Sequence, residues 1–238
     1  MSKPLPATLP WPCLCLVTDR LLTGRLTGPG LVGEDALISS VLKTVVTQAV
    51  AGGVNLVQLR EKDLPGGSLL KIAGELREVI GHSALLLINE RVDVAAAVGA
   101  DGVQLGEEAL PAKEARKILS PEALIGRSVH SEQGAKLAEA EGADFLLVGT
   151  MYATSSHPGH QPAGPELIRR IAASCSLPLL GIGGINQANL GPVLEAGAQG
   201  VAVISSILAA PDPEQAARGL KQAMLAALPA SPTLRVNL

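Results

Sequence analysis

The segment PLLGIGGINQANLGPVLEAGAQGVAVISS, residues 178–206, carries the pattern that decides the fold. PLLGIG (178–183) is a short apolar run of strand length, NQANLGPVLEAGA (186–198) has helical spacing, and GVAVISS (200–206) is a second short strand. A strand, a helix and a strand in so few residues read as a βαβ unit with parallel strands.

The same alternation runs outward to both ends. Strands are expected at 13–19, 54–60, 84–89, 102–106, 123–129 and 144–150. Helices are expected over 37–53, 67–81, 92–100, 111–120, 131–143, 164–175 and 212–228. The helix over 37–53 closes on glycine, and that over 111–120 opens with proline. Eight strand–helix units make an α/β protein and fit a (β/α)8 TIM barrel of one domain over 13–228. The rival is a doubly wound open sheet. Residues 1–12 read as a disordered leader and 229–238 as a loose tail.

Composition agrees. Apolar residues are 47% of the 238 and aromatics only 1%, so the core must be Leu, Val, Ile and Ala. Net charge is −3 with no block of Lys or Arg, which argues against nucleic acid as a partner. The N-terminus lacks the apolar run of a secretory signal, and no stretch reaches the ~20 apolar residues of a membrane span. The expectation is a cytoplasmic protein off the membrane, with self-association left open. Of the three cysteines, Cys13 and Cys15 alternate along a strand and suit packing, as does Cys175.

Active sites of such barrels lie where strands end and βα loops begin. Those positions hold Asp19, then Gln58, Arg60 and Lys62, then Asn89 and Glu90, then Gln104, then Ser128 and His130. Thr150, Thr154 and Ser156 follow, then Gly183 and Gly184, then Ser205 and Ser206. GIGGI (181–185) and VISS (203–206) fall after strands seven and eight, the usual place for a phosphate. Backbone N–H groups of Gly183, Gly184, Ile204 and Ser205 are the expected donors. The plainer reading of the glycines is a tight turn.

In QLREKD (58–63), Gln58, Arg60 and Lys62 share one face of an extended strand. Two cations side by side suit an anion between them. The competing reading pairs them with Glu61 or Asp63 on the surface. HPGH (157–160) reads as a loop; two histidines alone do not make a zinc site. His130 sits at a strand end with a side chain suited to proton transfer near neutrality. Ser131 beside it suits a helix cap, with Gly134 three residues on.

Together LVTD (16–19), VQLREKDL (57–64), LLINERVDVAAAVGADGVQLGEE (86–108), IGRSVHS (125–131), EGADFLLVGT (141–150), LPLLGIGGI (177–185) and EAGAQGVAVISSI (195–207) resemble the thiamine phosphate synthase/TenI superfamily in order and spacing. The resemblance implies a (β/α)8 barrel of thiamine biosynthesis with a thiazole phosphate as ligand. It also implies substrate contacts at Gln58, Arg60, Lys62, Asn89 and Ser128; Gln104, Thr154 and Ser156 join them as candidate contacts by their strand-end positions. Two activities occur in this superfamily. The synthase joins hydroxymethylpyrimidine diphosphate to thiazole phosphate and releases diphosphate with Mg²⁺. The TenI-type tautomerase aromatises a thiazole carboxylate phosphate by proton transfer and needs no cofactor.

Four departures weigh against the synthase. Glu90 stands where its pattern has an Asp ligand to Mg²⁺, Ala109 where it has a second Asp, Gln104 where it has a His, and His157 where it has a Lys. GRSVHS and VQL around Gln104 look like the tautomerase branch. The expectation is therefore a thiazole tautomerase with His130 as proton carrier. The synthase is the alternative, with Glu90 as metal ligand, and a non-catalytic thiazole or thiamine phosphate binder is the second.

Overall fold

In the computed structural model, residues 8–25, 35–154 and 161–228 are described. Eight parallel strands run in chain order: β1 (Cys13–Val17), β2 (Leu56–Leu59), β3 (Leu85–Asn89), β4 (Gly102–Leu105), β5 (Leu124–Val129), β6 (Phe145–Gly149), β7 (Leu179–Ile182) and β8 (Gly200–Val203). Each pairs with its successor, and β8 pairs back onto β1 from Cys13↔Gly200 to Leu16↔Val203. That last pairing closes the barrel and rules out the open sheet.

The helices are α1 (Arg20–Arg25), α2 (Asp35–Ala51), α3 (Gly66–Ile80), α4 (Val92–Val98), α5 (Ala112–Ala115), α6 (Glu132–Ala140), α7 (Gly164–Ala172), α8 (Gly191–Glu195), α9 (Ser205–Leu208) and α10 (Pro213–Ala227). Among these residues no helix is long and apolar enough to cross a membrane.

The pleat splits the core in two. Cys13, Cys15, Leu56, Leu87, Leu124, Phe145, Leu147 and Leu180 fill the barrel interior. Their alternates, such as Leu14, Leu16, Val57 and Ile88, pack outward against the helices. Helix α3 meets them with Leu69, Ile72, Ala73, Leu76 and Ile80, one apolar stripe at helical spacing. Each fully buried Leu or Ile contributes roughly 1.5–3 kcal/mol. Phe145, the chain's one phenylalanine, needs Gly126 beside it: a Cβ there would lie 2.2 Å from the ring.

Burial explains the thiols. Cys13 and Cys15 are buried and unpaired, and burial pushes the Cys15 thiol up to about 12.

Several details differ from the sequence reading; the helix expected over 111–120, for one, is only α5 (Ala112–Ala115). The run 204–206 is not strand: Ser205 opens α9. Residues 186–190 are not helix, because Asn186 and Asn189 make local side-chain bonds to backbone N–H groups at Ala188 and Asn186. Helix α1 follows β1 directly. Of the expected leader, Leu9 packs on the inner core, and the Pro12 carbonyl accepts from Asn55 Nδ2 at 2.9 Å and Lys221 Nζ at 2.7 Å. Residues 1–7 and 229–238 lie outside the described residues.

Candidate active site

The C-terminal ends of the strands open onto a cavity of about 580 Å³. Its residues come from every strand end, which is why the site is scattered in sequence but compact in space.

Gln58, Arg60 and Lys62 line one side; the sequence reading put all three on one extended strand, but β2 ends at Leu59 and Lys62 stands in the turn beyond it. Gln58 donates to Asn89 Oδ1 at 2.9 Å, fixing two amides on the cavity floor. Glu90 follows Asn89 with φ of 59°, a left-handed backbone that is strained for a side-chain-bearing residue. Its carboxylate lies over Gly106, where a Cβ would meet Oε1 at 2.6 Å. Lys62 Nζ stands 3.7 Å from the same oxygen.

The loop after β4 brings Glu107, Glu108 and Ala109 to this wall. Arg127, buried behind it, donates to the carbonyls of Leu110 and Glu107 at 2.9 and 2.8 Å and so holds the loop in place. His130 reaches the same edge, its Nδ1 2.7 Å from Glu107 Oε2. Ser131 caps α6 by accepting from Gly134 N at 3.0 Å, the local role expected of it, while His130 faces the cavity.

The opposite wall is backbone. Gly183 and Gly184 have φ of 103° and 62°. A Cβ on Gly183 would strike Thr150 Cγ2 at 2.4 Å, and one on Gly184 the Ala153 carbonyl at 2.5 Å. Asn189 Nδ2 donates to the Gly184 carbonyl at 3.0 Å, and Ser206 Oγ to that of Ile185 at 2.6 Å. These bonds tie the turn after β7 to the start of α9. Ile204, Ser205 and Thr154 complete this side.

Most of the expected site residues thus meet around one cavity. Gln104 does not reach it: the side chain is 2% exposed and donates to Ser128 Oγ at 3.1 Å from beneath. Ser156 and the HPGH loop lie outside the described residues. Arg127 was missed, since nothing local marks a buried guanidinium as a loop anchor.

The charged wall interleaves Arg60 and Lys62 with Glu90, Glu107 and Glu108. Carboxylates beside cations attract an anionic substrate poorly unless a divalent cation offsets them. Among the described residues no three His, Cys, Asp or Glu side chains form an all-protein cage. Mg²⁺ takes one or two carboxylates together with substrate phosphate oxygens, so this donor set fits it.

A parallel (β/α)8 barrel with one polar cavity at its C-terminal mouth defines the class. The chain belongs to the thiamine monophosphate synthase family, whose model matches residues 31–207. A putative thiamine-phosphate synthase of Geobacter sulfurreducens is 45% identical over 218 residues, 91% of this chain and 94% of that protein. The thiamine-phosphate synthase of Natronomonas pharaonis is 45% identical over 184 residues, 76% of this chain and 86% of that one. Among solved structures, thiamine phosphate pyrophosphorylase from Pyrococcus furiosus superposes with a TM-score of 0.77 at 35% identity, covering 91% of this chain and 97% of that one.

These relatives correct the expectation of a tautomerase centred on His130: the Geobacter protein is named a putative thiamine-phosphate synthase and the Natronomonas protein a thiamine-phosphate synthase. The geometry supplies a reason for the error. Ala109 reads in sequence as a lost ligand, yet the wall around it keeps three carboxylates. Gln104 reads as an altered contact, yet it lies below the floor.

Proposed function

We propose that the protein is a thiamine-phosphate synthase, joining hydroxymethylpyrimidine diphosphate to a thiazole phosphate and releasing diphosphate. One observation carries the reading: across a single cavity, a wall of interleaved cations and carboxylates faces a wall of glycine backbone. The first suits a diphosphate with a divalent cation, the second a monophosphate.

In this reaction the bond from the pyrimidine methylene carbon to the diphosphate oxygen breaks, and a bond from that carbon to the thiazole nitrogen forms. The leaving oxygen takes the electron pair. Arg60 and Lys62 stabilise the negative charge that develops there, an interaction stronger in the transition state than in the bound substrate. Gln58, Asn89 and Ser128 hold the pyrimidine edge with their amide and hydroxyl groups. Gly183, Gly184, Ile204 and Ser205 hold the thiazole phosphate, with Thr154 beside them, which brings the nucleophile to the methylene carbon. Glu90 and a carboxylate of the 107–108 pair would hold Mg²⁺, which would offset the charge of the diphosphate. His130 acts here as the partner of Glu107. Both substrates are phosphorylated and do not cross membranes unaided, which supports a cytoplasmic location.

Purified protein offered both substrates should form thiamine phosphate with Mg²⁺ and none in excess EDTA. Formation unaffected by EDTA counts against this reading.

A further inference from the structure

Arg60 and Lys62 stand two residues apart, and like charges so placed repel. What holds them is visible on the far side of the same segment. Glu61 turns away from the cavity and is 5% exposed. Its carboxylate accepts the Thr18 hydroxyl at 2.6 Å and the Arg20 backbone N–H at 3.1 and 3.2 Å. Arg20 Nη1 lies 3.4 Å from it, and the same guanidinium grips Asp63 at 2.6 and 2.7 Å.

Thr18 passes the constraint on. The pairing of β1 with β2 ends at Val17↔Gln58. Just beyond, the fully buried Thr18 hydroxyl accepts the Arg60 N–H at 2.9 Å while donating to Glu61. One hydroxyl therefore fixes the backbone of the cavity cation and the acid beside it. Arg20 with Asp63 clamps the residue after Lys62.

A buried acid is a costly way to hold a loop. Burial pushes the Glu61 carboxyl up, against the opposing pull of Thr18 and Arg20. Buried ion pairs give little stability beyond what apolar packing would give. Their return is in placement, and what they place here is the segment from Arg60 to Lys62.

We propose that Thr18, Glu61 and Arg20 are positioning residues that aim Arg60 and Lys62 at the diphosphate; this rests on the synthase reading above. The rival is a unit that only stabilises the barrel rim.

Thr18→Val keeps the side-chain size and removes the hydroxyl; Thr18→Ser restores it. Three quantities separate the two accounts: steady-state constants for each substrate, calorimetric binding of inorganic diphosphate with Mg²⁺, and Tm. In Thr18→Val the KM for the pyrimidine diphosphate and the Kd for inorganic diphosphate should each rise about tenfold. The KM for thiazole phosphate should change less than about twofold, and Thr18→Ser should return all constants to within about twofold of wild type. Glu61→Gln, which keeps one acceptor oxygen, should weaken diphosphate binding in the same direction and serves if Thr18→Val does not fold. Equal losses for both substrates together with a lower Tm would overturn the positioning role. So would a folded Thr18→Val that binds diphosphate as wild type does. A wild type that binds no diphosphate removes the synthase reading, and the proposal with it.

Discussion

The Nδ1 atom of His130 lies 2.7 Å from Oε2 of Glu107, joining the end of β5 to the loop after β4. The imidazole is 57% exposed at the rim of the cavity. A histidine so placed orients an acid of the charged wall. The bond that breaks in the proposed reaction is C–O to a diphosphate, which leaves without needing a proton from His130.

Replacing His130 by Asn should therefore cost the coupling less than about tenfold in kcat, well short of the 10²–10⁴-fold typical of a lost general acid or base. Steady-state kinetics of thiamine phosphate formation measure it. A thousandfold loss in a folded His130→Asn protein would return this residue to the reaction centre.

Arg60→Gln removes a cation from the charged wall and keeps the segment's backbone bond to Thr18. The kcat/KM for the pyrimidine diphosphate should fall roughly 10²–10³-fold, as for other lost transition-state donors. Thiazole phosphate binding, measured by calorimetry without the second substrate, should be unchanged. Equal weakening of both would mean that the two walls do not divide the substrates.

Gly184→Ala tests the backbone wall. Its φ of 62° and the Ala153 carbonyl 2.5 Å from the new Cβ leave no room for even a methyl group without a shift of the turn. The strain should lower stability by about 1–3 kcal/mol and raise the KM for thiazole phosphate at least about tenfold. Thermal unfolding and steady-state kinetics read the two effects. An unaltered KM would place the phosphate elsewhere.

Alkaline pH should destabilise the protein through the barrel thiols. Burial pushes Cys15 from 9.0 up to about 12 and also raises Cys13. A group raised in the folded state contributes stability that is full below its unfolded pKa and lost as pH rises through the folded one. Tm should therefore fall as pH rises from 9 towards 12. The fall should be shallower in a Cys13→Ala, Cys15→Ala protein. Parallel profiles in the two proteins would contradict the assignment.

The barrel was legible because its signal is periodic. Short apolar runs and helical stripes alternate along the chain, and each can be read within a dozen residues. Arg60 and Lys62 were named as cavity residues from alternation with Gln58; both do line the cavity, though Lys62 does so from the turn after β2. The partners of Glu61 and Asp63 were not legible. Sequence proximity offered Arg60 and Lys62, but Arg20 pairs with both, 41 and 43 residues away. The helix at Ser205 was hidden because VISS continues an apolar strand, whereas α9 already begins at Ser205 and Ser206 bonds the Ile185 carbonyl. Activity was misread for a related reason. Ligand substitutions were judged position by position, whereas Glu107 and Glu108, on the loop that Arg127 anchors, bring further carboxylates to the same wall.

The most direct test of the account is the stoichiometry of turnover. Wild-type protein with Mg²⁺, hydroxymethylpyrimidine diphosphate and thiazole phosphate is followed for thiamine phosphate and released diphosphate together. The account predicts equal amounts of the two products, with neither formed when one substrate is omitted. No thiamine phosphate, or diphosphate released without thiazole phosphate present, would contradict it.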